Sequence, residues 1–389
     1  MSGPSGAPHP LAPVGPVRPP RRFSWSYLLI TGASAALGAV VAIFAVRALG
    51  DAASPLDALK VAVLVVLAIW TQTLLHEAGH TVAALARGYR PLAFGVGPLR
   101  LERGTGGWRL HVTRSIRGIA GFASLLPPPN AARPRLDDAV YLAGGPLANF
   151  LGAGLALALL PALTPGGTAW VAAASFAAFG LLLGGINLIP FSSAGWRSDG
   201  RGLLDVIRRP ALVAAYRRQQ ELGVLTMSGV RPRDWPLALL PPLPGPDADR
   251  LLRIGAAQLR LSHAIDRDAP DAAREAAAVL AECYPDTPDG QRQLIAIALA
   301  GHAALVERDP DLLDAWRERI DGALFDLTAQ RQWLAAESAL LRGDRDGARA
   351  AIDASRAALG RVHDQTSRTI LVERLDQLAS AVEAADASR

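Results

Sequence analysis

The sequence predicts a mainly α-helical membrane protein with a small β region and a soluble helical C-terminal part. Three observations predict it. Half of the 389 residues are hydrophobic, and long apolar runs crowd the part before Pro190. Between Pro91 and Pro127 the pattern switches to alternation with period two. From Asp247 onward it becomes Ala- and Leu-rich with a period near 3.6. Runs of about 20 apolar residues match the hydrocarbon thickness of a bilayer, whereas the two shorter periods belong to strands and to soluble helices.

Residues 1–25 read as a disordered basic tail. They are rich in Pro, Gly and Ser, carry PVRPPRR, and offer too little apolar surface to fold. No small-residue cleavage site of the usual kind follows, so this is not a signal peptide. Residues 26–49 form the first predicted membrane helix, and its Gly32, Gly38 and Ala39 would admit a close neighbour.

Residues 59–86 form the second, and this helix carries the sequence Gln72 to Val82, QTLLHEAGHTV. His76, Glu77 and His80 stand there in the order H-E-x-x-H. Residues four apart share one helix face, so both imidazoles can reach one metal ion. Glu77 sits one position round, where it can take a proton from water instead of ligating the metal. Zinc suits this set, since it accepts nitrogen and oxygen ligands and can leave one position open. Ionisable residues are expensive inside a bilayer, so packing explains such a set poorly.

The 91–127 region reads as strands, with Trp108, Leu110 and Val112 on one side and Gly104 to Gly107 as a turn. Two uses are open for it. A substrate could add to its edge as a further strand, or it is a plain connecting hairpin. Residues 139–163 form the third predicted membrane helix, with Asp137 and Asp138 at its start, where negative charge suits the helix dipole. Gly144, Ala148 and Gly152 recur every four residues as a face for close packing. Asn149, polar at membrane depth, needs either an interhelical hydrogen bond or a substrate. Residues 169–190 form the fourth, with Gly180 and Gly184 as another close-approach pair; it runs into NLIPFSSAGWRSDG.

Arginines precede the first helix and fill the stretch between the second and third, while the other two connections lack them. Basic loops stay inside, so both chain ends are expected in the cytoplasm and the chain is expected in the cell membrane. Residues 210–246 are read as a Pro-rich linker, and 247–389 as a cytoplasmic helical domain. Breaks at Asp268–Pro270, Pro285–Pro288, Asp309–Pro310 and Gly343–Asp344 divide it into helices. AESALLRGDRDGARAAIDASRAAL is similar to one tetratricopeptide unit, and an irregular bundle is the alternative. Trp316 and Trp333 are expected in its core, as is Cys283. A lone cysteine excludes a disulfide framework. A net charge of +5 without a basic stripe interleaved with aromatics points away from nucleic acid.

HEAGH in a membrane helix, AGGPLAN, and NLIP followed by SDG together resemble the site-2 protease family of intramembrane zinc metalloproteases. The resemblance covers roughly Leu59 to Val206. It implies that His76 and His80 are zinc ligands, Glu77 the catalytic glutamate and Asp199 the third ligand. It also implies that Asn187 helps to hold the substrate backbone. The FSSAGWRS interval between Pro190 and Asp199 is longer than the family's common form and lacks its second proline. Among other carboxylates, Asp137 and Asp138 are explained by their helix start, and Asp205 by nearby arginines. Gly200 lets the backbone turn and aim Asp199. The implied substrate is a membrane protein, such as one with a single transmembrane helix, cut while surrounded by membrane lipid. The C-terminal helices would take a protein partner. Two other readings are a catalytically inactive scaffold that recruits partners through those helices, and a zinc transporter.

Overall fold

The computed structural model describes residues 9–15, 43, 54–112, 121–128, 131–193, 196–287, 289–320 and 325–387. The predicted first membrane helix, 26–49, lies outside the described residues apart from residue 43. The chain forms two compact units. One takes Arg22–Leu101 and Leu110–Val213; the other takes Met1–Arg21, Glu102–Arg109 and Ala214–Arg389.

In the first unit, α1 spans Pro55–Leu85, α2 Pro134–Leu159 and α3 Thr168–Leu188. All three, with the 3-10 turn that prolongs α2, are long and apolar enough to cross a membrane. Helix α1 starts four residues earlier than its apolar run predicts. Ser54 and Asp57 cap its first turn reciprocally, and Pro55 fits the first helical position. The packing is inverted relative to a water-soluble protein. Val66, Leu151 and Leu155 are 63%, 74% and 67% exposed, while Gln72, His76 and Asn149 are buried. Lipid is the solvent that suits such a surface.

Small residues set how closely these helices approach. A Cβ on Gly79 would strike the Gly144 carbonyl and the Ala148 side chain, and one on Gly152 would meet Leu75 at 2.6 Å. The predicted Gly144, Ala148, Gly152 face is thus the seat of α1. Gly180 of α3 likewise lies against Gln72 and Asn149, and Gly184 against Phe150.

Four strands follow the prediction for 91–127: β1 Arg90–Val96, β2 Leu99–Gly104, β3 Gly107–Val112 and β4 Gly121–Leu126. Their order is β3-β2-β1-β4, and β4 pairs antiparallel with β1. Gly107 has φ +103°, which a tight turn requires and other residues adopt rarely. Helix α4, Asp199–Arg208, follows α3 after a short two-stranded hairpin, Ser192–Ser193 with Trp196–Arg197.

The second unit holds all but the first turn of α5 Pro210–Met227, and α6 Arg250–Asp266, α7 Pro270–Cys283, α8 Asp289–His302, α9 Pro310–Arg317, α10 Thr328–Leu341, α11 Arg345–Ala357 and α12 Gln365–Ala387. The predicted breaks at Asp268–Pro270, Asp309–Pro310 and Gly343–Asp344 fall at helix boundaries. One core gathers Leu261, Leu280, Cys283, Leu299, Leu313 and Trp316; another gathers α10, α11 and α12. Trp316 is fully buried, and Trp333 packs on both clusters. The α10–α11 hairpin turns at Gly343, φ +79°.

Two expectations need correction here. The stretch 210–246 is not an extended linker. Helix α5 fills half of it, Leu222 is fully buried, and Gln219 donates to the Leu252 carbonyl at 2.8 Å. Flanking prolines mask a sequence, ALVAAYRRQQELGVL, whose residues are good helix formers. Nor is the tail wholly without a place. Residues 9–15 lie on the helical unit with Leu11 buried in its core, because one anchoring leucine suffices where average composition is unfavourable.

Candidate metal centre

Helix α1 delivers His76 and His80 to one face, as the spacing requires. Their Nε2 atoms lie 3.2 Å apart. Asp199 reaches the same point from the first turn of α4. Its Oδ2 is 3.2 Å from His76 Nε2 and its Oδ1 is 3.3 Å from His80 Nε2. Among the described residues this is the one cluster of three or more such groups placed to hold a metal ion.

The longer interval before Asp199 is absorbed by the hairpin. Ser198 closes it: its hydroxyl donates to the Ile189 carbonyl at 2.6 Å and accepts from the Phe191 and Arg201 amides. The Ser198 amide also donates to the Phe191 carbonyl at 3.1 Å. The same hydroxyl is thus the N-cap of α4. Gly200 lies so close to the Leu188 carbonyl that a Cβ there would overlap it. These contacts bring the start of α4 back to the end of α3.

Hydrogen bonds around the two imidazoles set their orientation. Gln72 donates its amide nitrogen to the Phe176 carbonyl at 2.9 Å, which leaves its oxygen facing Asn149. The Asn149 nitrogen donates to that oxygen at 2.7 Å and to the Gln72 carbonyl at 2.9 Å. The Asn149 oxygen must then accept from His76 Nδ1, at 2.7 Å. His80 Nδ1 lies 2.7 Å from the Tyr141 carbonyl, and a carbonyl only accepts, so this nitrogen donates. The Gly145 amide is a longer neighbour of the same nitrogen, at 3.3 Å. Both imidazoles are thereby oriented with Nε2 toward each other and toward Asp199. Such partners behind a ligand set its orientation and basicity.

Charge makes the same point. Burial pushes the Asp199 carboxyl up, but hydrogen bonding and charge from His76 and His80 outweigh it, and the net shift is downward. The carboxylate faces both Nε2 atoms, and its Oδ2 is buried without a hydrogen bond. A cation among them would satisfy all three groups. The space is kept by glycine. A Cβ on Gly145 would stand 2.8 Å from His76 Nε2 and even closer to His80 Nε2.

Glu77 is 7% exposed, on the same helix but off the ligand face. Strand β4 lies against it, for a Cβ on Gly121 would meet Glu77 Cγ and Oε1 at 2.8 Å. The Tyr141 hydroxyl donates to the Ala123 carbonyl of β4 at 2.9 Å, so one residue steadies both His80 and the strand.

The other singled-out residues are elsewhere engaged. Asp137 pairs with Arg87, and Asp138 accepts from the Tyr89 hydroxyl at 2.6 Å. Asp205 is buried among Arg197, Arg201 and Arg209, at 3.4, 3.3 and 3.8 Å. Asn149 makes the interhelical bonds described above. Asn187 donates to the Leu183 carbonyl of its own helix at 2.9 Å. Sequence reading missed Gln72, Tyr141, Gly121 and Gly145. Gln72 alone carried a signal, a polar residue four before His76 on an apolar helix. No protein-family model matches the chain, and no curated protein or solved structure is similar to it.

Proposed function

We propose that this chain is an intramembrane zinc metalloendopeptidase, of the kind its motifs resemble in the site-2 protease family. The observation that carries the reading is the convergence of Asp199 with His76 and His80 beside a buried Glu77. Zinc is the cation best suited to two imidazoles and a carboxylate. Tetrahedral ligands with bonds of about 2.0 Å stand roughly 3.3 Å apart, close to the 3.2 Å between the imidazole nitrogens. Zinc bound by His76, His80 and Asp199 would polarise a peptide carbonyl and acidify water.

The chain's own residues supply the rest. Glu77 takes a proton from the attacking water as the new C–O bond forms. It returns the proton to the amide nitrogen as the C–N bond breaks, giving a carboxylic acid and an amine. Asn149 and Tyr141 hold the imidazoles in the required orientation. Asp199 contributes negative charge and needs no proton of its own. The substrate is a membrane protein, such as one with a single transmembrane helix, lying in membrane lipid. Its helix must open first, because helical carbonyls are engaged in their own hydrogen bonds. Strand β4, at the sheet edge and against Glu77, offers the opened segment a template for strand addition. Asn187 is a second candidate for holding the substrate backbone. On this reading the protein resides in the cell membrane with both ends cytoplasmic, and its helical unit would take a protein partner.

The test is zinc content together with cleavage of a transmembrane substrate by the purified chain in detergent. About one zinc per chain with cleavage, both lost on chelation, is expected. A chain that carries zinc but cuts no transmembrane segment would return the reading to a scaffold.

A further inference from the structure

Residues 9–15, HPLAPVG, are bound much as a separate peptide would be. One side chain anchors the segment: Leu11 is 8% exposed, within the core that contains Leu261, Leu299, Leu313 and Trp316. Two backbone carbonyls are read by side chains of the helical unit. Trp316 Nε1 donates to the Leu11 carbonyl at 3.0 Å, and the Arg319 guanidinium donates to the Gly15 carbonyl at 3.0 Å. The segment also shapes itself. His9 Nδ1 accepts from the Leu11 amide at 3.1 Å, and the Ala12 amide donates to the His9 carbonyl at 2.7 Å. The ring's Nε2 faces the Glu307 carboxylate at 3.9 Å. Pro10 and Pro13 limit the backbone of the free segment, so less freedom is lost on binding. Val14, by contrast, is 74% exposed and contributes little.

We propose that the face of the helical unit formed by Glu307, Trp316 and Arg319 is a peptide-binding site, and that its ligand is this chain's own residues 9–15. Recognition rests on a leucine anchor and two carbonyls. It clasps the start of the chain to the C-terminal helices.

The test uses the full chain and a variant lacking residues 2–17, both in detergent. The probe is a fluorescent synthetic peptide of residues 7–17, followed by anisotropy. The shortened chain should bind it saturably. The full chain should bind it at least about tenfold more weakly, because the tethered segment competes at high effective concentration. A peptide with Leu11→Asp should lose at least about tenfold in affinity, as expected for removing a buried leucine. Equal binding to both chains, or none to the shortened one, would overturn the proposal. A second measurement does not depend on the deletion. A diazirine amino acid at position 11 of the full chain should crosslink within the same molecule to residues 250–334. Crosslinks confined to other regions or other copies would overturn it equally.

Discussion

His76 Nε2 and Asp199 Oδ2 face each other at 3.2 Å, and neither carries a proton to share when the imidazole is neutral. The two residues come from opposite sides of two long apolar helices in the sequence. Their meeting brings three potential metal-binding groups to one point. A bound cation would satisfy them, and the metal-binding predictions below rest on that.

Asp199→Ala should lose most of the bound metal, whereas Asp205→Ala should keep it. Asp199 is one of three groups placed to hold the ion. Asp205 is occupied by Arg197, Arg201 and Arg209. Its loss should instead lower thermal stability, because a buried ion pair is broken. Metal analysis of both purified variants checks this.

Asn149→Leu should weaken metal binding about ten- to a hundredfold, the usual cost of removing the group behind a ligating histidine. The lost hydrogen bonds should cost only about 1 kcal/mol each in a membrane protein. A competition titration with a chelator, run well below the melting transition, reads the loss of affinity separately from the loss of stability.

Two glycine substitutions should separate binding from chemistry. Gly145→Ala places a methyl group among the imidazoles and should abolish metal binding. Gly121→Ala presses on Glu77 and, less closely, on the Gly95 carbonyl but not on the imidazoles, so it should keep the metal and lower turnover at least tenfold. Gly154→Ala, with open space around it, should change neither.

Both chain ends should lie in one compartment. Residues 9–15 touch the helical unit through Leu11 and Trp316, which two sides of a membrane would forbid. Three apolar helices are described, an odd number. If all three cross, a fourth crossing is expected, and the apolar run 26–49 is the sequence's candidate. Cytoplasm-active reporters fused before Met1 and after Arg389 should both be active. Activity at one end only would contradict this.

Much of the site was legible in the sequence, for reasons of spacing. His76, Glu77 and His80 lie within one and a half helical turns, so local geometry alone places them. The Gly144, Ala148, Gly152 face was legible because a four-residue repeat survives into the packed helix. Asp199 needed more, since its distance to the histidines depends on a hairpin closed by one serine, Ser198. Gly121 and Gly145 were not legible. They act through the side chain they lack, and only the neighbours across the fold make that lack matter. Residues 9–15 and α5 were misjudged because composition averages over a window. A single buried leucine and a helix between prolines disappear in such an average.

The most direct measurement is cleavage of a transmembrane substrate by purified Glu77→Gln chain, with its metal content determined on the same sample. Gln matches Glu in size and lies off the ligand face, but it cannot accept the proton of water. The account predicts metal near the parent level and cleavage below about a thousandth of the parent rate, a loss of roughly 4 kcal/mol in transition-state stabilisation. Cleavage close to the parent rate with the metal retained would contradict it.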